Sequence, residues 1–150
     1  FDLAREGRLP GGHAIEADAL QAAADAQGVA VGAGDIVLIR TGHLGWLLEG
    51  NEEAGGAPGL TYRALPWLHE RDVAMVACDN LACEVLPAEG PLPFHVGALR
   101  DLGLLIGELF DLDALATDCA ADGVYEMFFV APPLPVVNAV GSPLNPVCIK

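Results

Sequence analysis

Apolar positions run through this chain in blocks of two periods. Residues 16–28, EADALQAAADAQG, place acids early, alanine throughout and Gly28 last, which predicts a helix with a glycine stop. GDIVLIRTG, at 34–42, is β-branched, almost continuously apolar and bounded by glycines, and predicts a strand covered on both faces. DVAMVACDN, at 72–80, predicts a second buried strand. Between these two, residues 42–60 mix Trp46 and leucines with glycines and acids. That composition predicts a mobile excursion or lid, followed by a helix over 61–71.

Further along, EVLPAEGPLP (84–93) predicts a proline-broken loop, and the stretch from His95 to Leu102 a short helix. GLLIGELF then predicts a third strand, and DLDALATDCAADG (111–123) a helix with Asp111 at its N-cap. YEMFFVAPPL predicts a fourth strand, and GSPLNP (141–146) a turn before a short terminal strand. Alternating strands and helices with no repeat or linker predict one α/β domain over 1–150.

One acid interrupts the third strand. Glu108 stands among Leu104, Leu105, Ile106, Leu109 and Phe110, and burial there would cost its hydration unless a cation or hydrogen bond compensates. His95 lies thirteen residues earlier. Imidazole plus carboxylate is a partial ligand set for a borderline divalent metal. A hydrogen-bonded structural histidine at a helix start satisfies the same spacing, so the pair alone leaves both readings open.

Composition removes several classes. A formal charge of −14, with only seven Lys and Arg, argues against a nucleic-acid partner. A hydrophobic content of 53% excludes a disordered tail. No apolar stretch reaches the ~20 residues that span a bilayer, so no membrane partner is expected. The chain opens on Phe1 without a signal-peptide pattern, which suggests a processed or truncated piece. Cys78, Cys83, Cys119 and Cys148 lack C-x-x-C spacing and sit in apolar segments, as reduced thiols of a cytoplasmic protein would. No phosphate-binding glycine loop is present, and Ser142, the one serine, lacks a G-x-S-x-G setting.

Taken in order, GDIVLIRTG, ALPWLHERDVAMVACDNLACEVLP and the long run from PFHVGALRDLGLLIGELF to the C-terminus resemble the C-terminal half of the putative cyclase family. That family includes kynurenine formamidases and isatin hydrolases. The resemblance implies a swivelling β/β/α fold, here incomplete, because the N-terminal signature H-x-G-T-H-x-D does not occur in this sequence. It implies a metal-dependent hydrolase of a cyclic amide or arylformamide, a divalent cofactor (zinc or manganese), a small-molecule substrate and a homo-oligomer at full length. It carries His95 and Glu108 over as metal ligands and leaves the catalytic residues in the absent half. His43, following a strand end near Arg40 and Trp46, becomes a substrate-pocket candidate, as does Ser142. His13 and His69 fit solvated surface positions, and Asp79 and Asn80, at a strand end, fit a turn, with contact to the pocket as the alternative. The competing expectation is a non-catalytic α/β module for oligomerisation or ligand binding.

Overall fold

The central strand organises the chain. β4 (Met75–Cys78) is buried at every position, with β2 (Ile36–Ile39) on one side and β5 (Leu105–Gly107) on the other, all parallel. Side chains alternate across a strand, so Val76 and Cys78 face one apolar layer while Met75 and Ala77 face another. The first layer collects Leu20, Trp67, Leu68, Phe94 and Leu104; the second holds Phe110 and Leu112, with Leu115 and Phe129 packed against it. The computed structural model describes residues 1–52 and 55–150.

The remaining elements follow from local sequence. α1 (Ala17–Gln27) ends as expected at Gly28, whose φ of 67° is the left-handed conformation that glycine adopts without cost. A 3-10 turn at Tyr62–Ala64 leads into α3 (Leu65–Glu70), which packs on α1. α4 (Pro93–His95) continues directly into π-helical turns at Val96–Leu102. α5 (Asp113–Asp122) precedes the antiparallel hairpin of β6 (Phe128–Val130) and β7 (Val147–Ile149). Lys150 holds the chain end against α5 through Asp118 and Asp122, each at 2.8 Å.

Several expectations need correction. β2 is fully covered on one face only: Val37 and Ile39 are buried, whereas on the other face Leu38 is partly buried against the second layer and Ile36, at the start of the strand, is exposed. The supposed excursion at 42–60 carries α2 (His43–Leu48), and it closes with β3 (Gly59–Leu60), which pairs in parallel with β1 (Ala14–Ile15). Residues 53–54 of that stretch lie outside the described residues. Leu112, not Asp111, occupies the N-cap position of α5, although the Asp111 carboxylate still accepts from the Asp113 N–H at 3.3 Å.

The cysteines also depart from expectation. Cys78 and Cys83 form a disulfide, their Cα atoms 5.1 Å apart, because the chain turns back at once after β4; only Cys119 and Cys148 are free. Cysteine usage therefore no longer argues for a reducing compartment. Among the described residues no helix is long and apolar enough to cross a membrane.

Candidate metal-binding site

The site grows from the C-terminal end of β4. There Asp79 is almost fully buried and accepts from the Thr41 N–H (2.8 Å), the Thr41 hydroxyl (2.6 Å) and the Gly42 N–H (2.7 Å), tying β4 to the end of β2. Burial pushes the Asp79 carboxyl above its ordinary pKa, against the downward pull of these bonds and of Arg40. Asn80 is fully buried; its amide donates to the Pro58 carbonyl, and its own backbone carbonyl accepts from the Leu109 N–H at 3.0 Å. Asp79 and Asn80 thus lie in a bend after β4, as expected, and act there as interior fasteners.

Five residues past β4 the chain is pinned again. Leu60 donates to the Cys83 carbonyl at 2.8 Å and accepts from Val85 at 3.0 Å, so Glu84 lies against β3. Its side chain is 1% exposed. Burying a carboxylate is costly unless donors surround it, and α4 supplies them. The first N–H groups of a helix have no intrahelical acceptor. Those of Phe94 and His95 point at the two Glu84 oxygens, at 2.9 and 3.3 Å. The His95 Nδ1 completes the set, 2.7 Å from Glu84 Oε2.

Both ring nitrogens face carboxylates, which offer only lone pairs; the Nδ1 contact is the shorter and the buried one, so a neutral ring carries its proton on Nδ1. The other ring nitrogen, Nε2, lies 3.2 Å from Glu108 Oε1. Glu108 sits one residue beyond β5, whose Gly107 is in register with Ala77. Just after it Leu109 takes a φ of 57°, and the Leu109 and Phe110 N–H groups bond to the Asn80 and Cys78 carbonyls. A non-glycine residue in that left-handed region is held there by its surroundings. Those two bonds hold it, and they aim the preceding carboxylate at His95.

His95 and Glu108, paired on sequence, do meet, but the premise of a buried Glu108 fails. Glu108 is 42% exposed, and its neighbours Leu105 and Leu109 are exposed too, because β5 is an outer strand whose end meets solvent. The buried acid beside His95 is Glu84, which stands at the start of a predicted loop. Nothing local marks it except an acid set between Cys83 and Val85, both of which are buried.

The two pocket candidates lie elsewhere in the fold. His43 is fully buried at the start of α2, with its Nδ1 3.2 Å from Arg8 Nη2 and its ring 5.4 Å from that of Trp46. Arg8 itself stacks 3.7 Å above Trp46. The Ser142 hydroxyl accepts from the Leu134 N–H and donates to the Pro143 carbonyl, both at 3.1 Å, within the β6–β7 connection. His13 and His69 are exposed, as expected. A cavity of about 310 Å³ is bounded by β2, α5 and β6, among them Ile36, Leu38, Leu115 and Phe128, and none of His43, His95, Glu108 or Ser142 lines it.

A donor pair of imidazole and carboxylate, converging with the imidazole proton held on the far nitrogen, suits a borderline divalent ion. It supplies two ligands, and no group of three or more His, Cys, Asp or Glu among the described residues is placed to hold a metal.

The family model described as putative cyclase matches residues 1–85. Among solved structures, a novel cyclase aligns over 99% of this chain and 52% of its own, at 42% identity and a TM-score of 0.89. A potential metal-dependent hydrolase with cyclase activity aligns over 99% and 61%, at 22% identity and a TM-score of 0.66. An isatin hydrolase bound to the product analogue thioisatinate aligns over 99% and 57%, at 21% identity and a TM-score of 0.75. The last two speak for the fold alone. No match was found among curated proteins. The chain spans between 52% and 61% of the length of these solved proteins. With more than half its residues matched by the family model and nearly all aligned to a cyclase at 42% identity, the chain belongs to the putative cyclase family and carries that family's mixed α/β fold.

Proposed function

We propose that this chain forms part of a metal-dependent hydrolase that opens the C–N bond of a cyclic amide or arylformamide, with zinc or manganese held in part by His95 and Glu108. The observation that carries the reading is the approach of His95 Nε2 to Glu108 Oε1 at 3.2 Å, with the opposite ring nitrogen occupied by Glu84. When bound, a divalent ion supplies Lewis acidity toward a substrate carbonyl. His95 offers a neutral, correctly oriented nitrogen, and Glu108 a charge that offsets the cation. Because catalytic zinc takes about three protein ligands, the remaining donors and the proton-accepting base belong to further parts of the protein. Two solved relatives in fold, described as a metal-dependent hydrolase with cyclase activity and as an isatin hydrolase, support this choice of chemistry.

The test is metal content and turnover in the protein at the length of its solved relatives. His95→Ala and Glu108→Gln should both lose bound metal and orders of magnitude in kcat on isatin or an N-formylarylamine. The exposed controls His13→Ala and His69→Ala should match wild type. A natively folded His95→Ala protein with full metal content and normal turnover refutes the assignment.

The second reading, a non-catalytic module for oligomerisation, has one observation in its favour. The β6–β7 hairpin exposes Phe128, Val137, Val140 and Ile149, an apolar surface of the kind that partners cover. Absence of metal binding together with concentration-dependent association would favour it.

A further inference from the structure

We propose that Glu84 is the positioning residue of this site: it fixes the tautomer and orientation of His95, so that Nε2 is the nitrogen presented to Glu108 and to any ion between them. The inference rests on the metal reading above only for its purpose, not for its geometry. Free imidazole in water has no such constraint, and two tautomers exchange. Here Glu84 grips three N–H groups of consecutive residues, the backbone N–H groups of Phe94 and His95 and the ring Nδ1, at 2.9, 3.3 and 2.7 Å. Holding both the backbone and the ring of one residue leaves the imidazole little rotational freedom. Glu84 is itself held, because Leu60 brackets it through bonds to Cys83 and Val85.

A glutamine at this position is nearly the same size but cannot do the same work. Its amide has one acceptor oxygen and one donor NH2. With the oxygen on the Phe94 N–H, the NH2 faces the His95 backbone N–H at the longer 3.3 Å and also Nδ1, which must then accept, and the ring proton moves to Nε2. A ring nitrogen bearing a proton cannot bind a metal. Turning the amide over instead sets NH2 against the Phe94 N–H, two donors in contact inside the protein.

The experiment is ¹⁵N-histidine NMR of the metal-free chain, with His95 assigned by comparison with His95→Ala, at a pH where the ring is neutral. Wild type should show His95 protonated at Nδ1, the minority tautomer of a free histidine side chain. Glu84→Gln should show it protonated at Nε2, Glu84→Asp should retain a measurable Nδ1–H population, and Glu108→Gln should leave the wild-type tautomer unchanged. Protonation at Nε2 in wild type overturns the proposal outright, so it stays falsifiable even if the glutamine variant fails to fold. An Nδ1–H tautomer that persists in a folded Glu84→Gln chain overturns it as well. Zinc titration of the same variants in the protein at the length of its solved relatives should show an affinity about 10–100-fold weaker in Glu84→Gln than in wild type. Should wild type at that length bind no zinc while the tautomer is as stated, the metal assignment fails and the positioning role stands.

Discussion

Gly59→Ala is a mutation of one methyl group, far in sequence from His95, that should disturb the site. A Cβ at position 59 would stand 2.6 Å from both the Glu84 carbonyl oxygen and the Val85 nitrogen, and closer still to the Glu84 carbonyl carbon. Ordinary contact begins at 3.4 Å, so the crossing of β3 over residues 84–85 must open by more than about 0.8 Å. Backbone atoms cannot rotate aside as a side chain can. Overpacking of this kind costs ~1–3 kcal/mol. The opening also weakens the Leu60–Cys83 and Leu60–Val85 hydrogen bonds, each worth ~1 kcal/mol. With the two bonds weakened by about half, the combined loss is ~2–4 kcal/mol. The Glu84 carboxylate is carried on that backbone, so its 2.7 Å bond to His95 Nδ1 should lengthen. Urea unfolding followed by circular dichroism measures the first effect, and the His95 ¹⁵N spectrum the second. Stability within ~0.5 kcal/mol of wild type, with an unchanged His95 spectrum, would refute the reasoning.

Burial raises the Asp79 carboxyl above its ordinary value of 3.8. Between 3.8 and that raised value the folded chain keeps a proton the unfolded chain has released, so the group's contribution to stability declines as pH rises through the window. Asp79→Asn should flatten that part of a stability–pH curve measured by urea unfolding, and an unchanged slope counts against it. Thiol titration of the denatured, unreduced chain should find two reactive cysteines, Cys119 and Cys148, and finding four would disprove the Cys78–Cys83 pairing.

The elements legible in the sequence were those whose signal is local. Gly28 stops α1 because the left-handed cap is a property of one residue, and β4 announces itself by an unbroken apolar run. β1 and β3 are two residues each and exist only because Ala14 and Ile15 meet Gly59 and Leu60 from across the chain; no period can form in so short a segment. The same blindness governed the acids. Apolar neighbours made Glu108 look buried, but exposure depends on where a strand lies in its sheet, and β5 is at the edge. Glu84 has fewer apolar neighbours in sequence, yet it is enclosed by β3 and α4, which arrive from either side.

Residues 84, 95 and 108 are near one another along the chain, linked by contacts across eleven and thirteen positions. Loops that short close at small entropic cost and on fast timescales. His95 is oriented by its own stretch of polypeptide, before any more distant ligand is brought up to it. The immobilisation of that imidazole is then part of folding, and an arriving ion meets a nitrogen whose rotational entropy has already been surrendered. Affinity gained this way is insensitive to how the other ligands are delivered, whether from the same polypeptide or a neighbouring one.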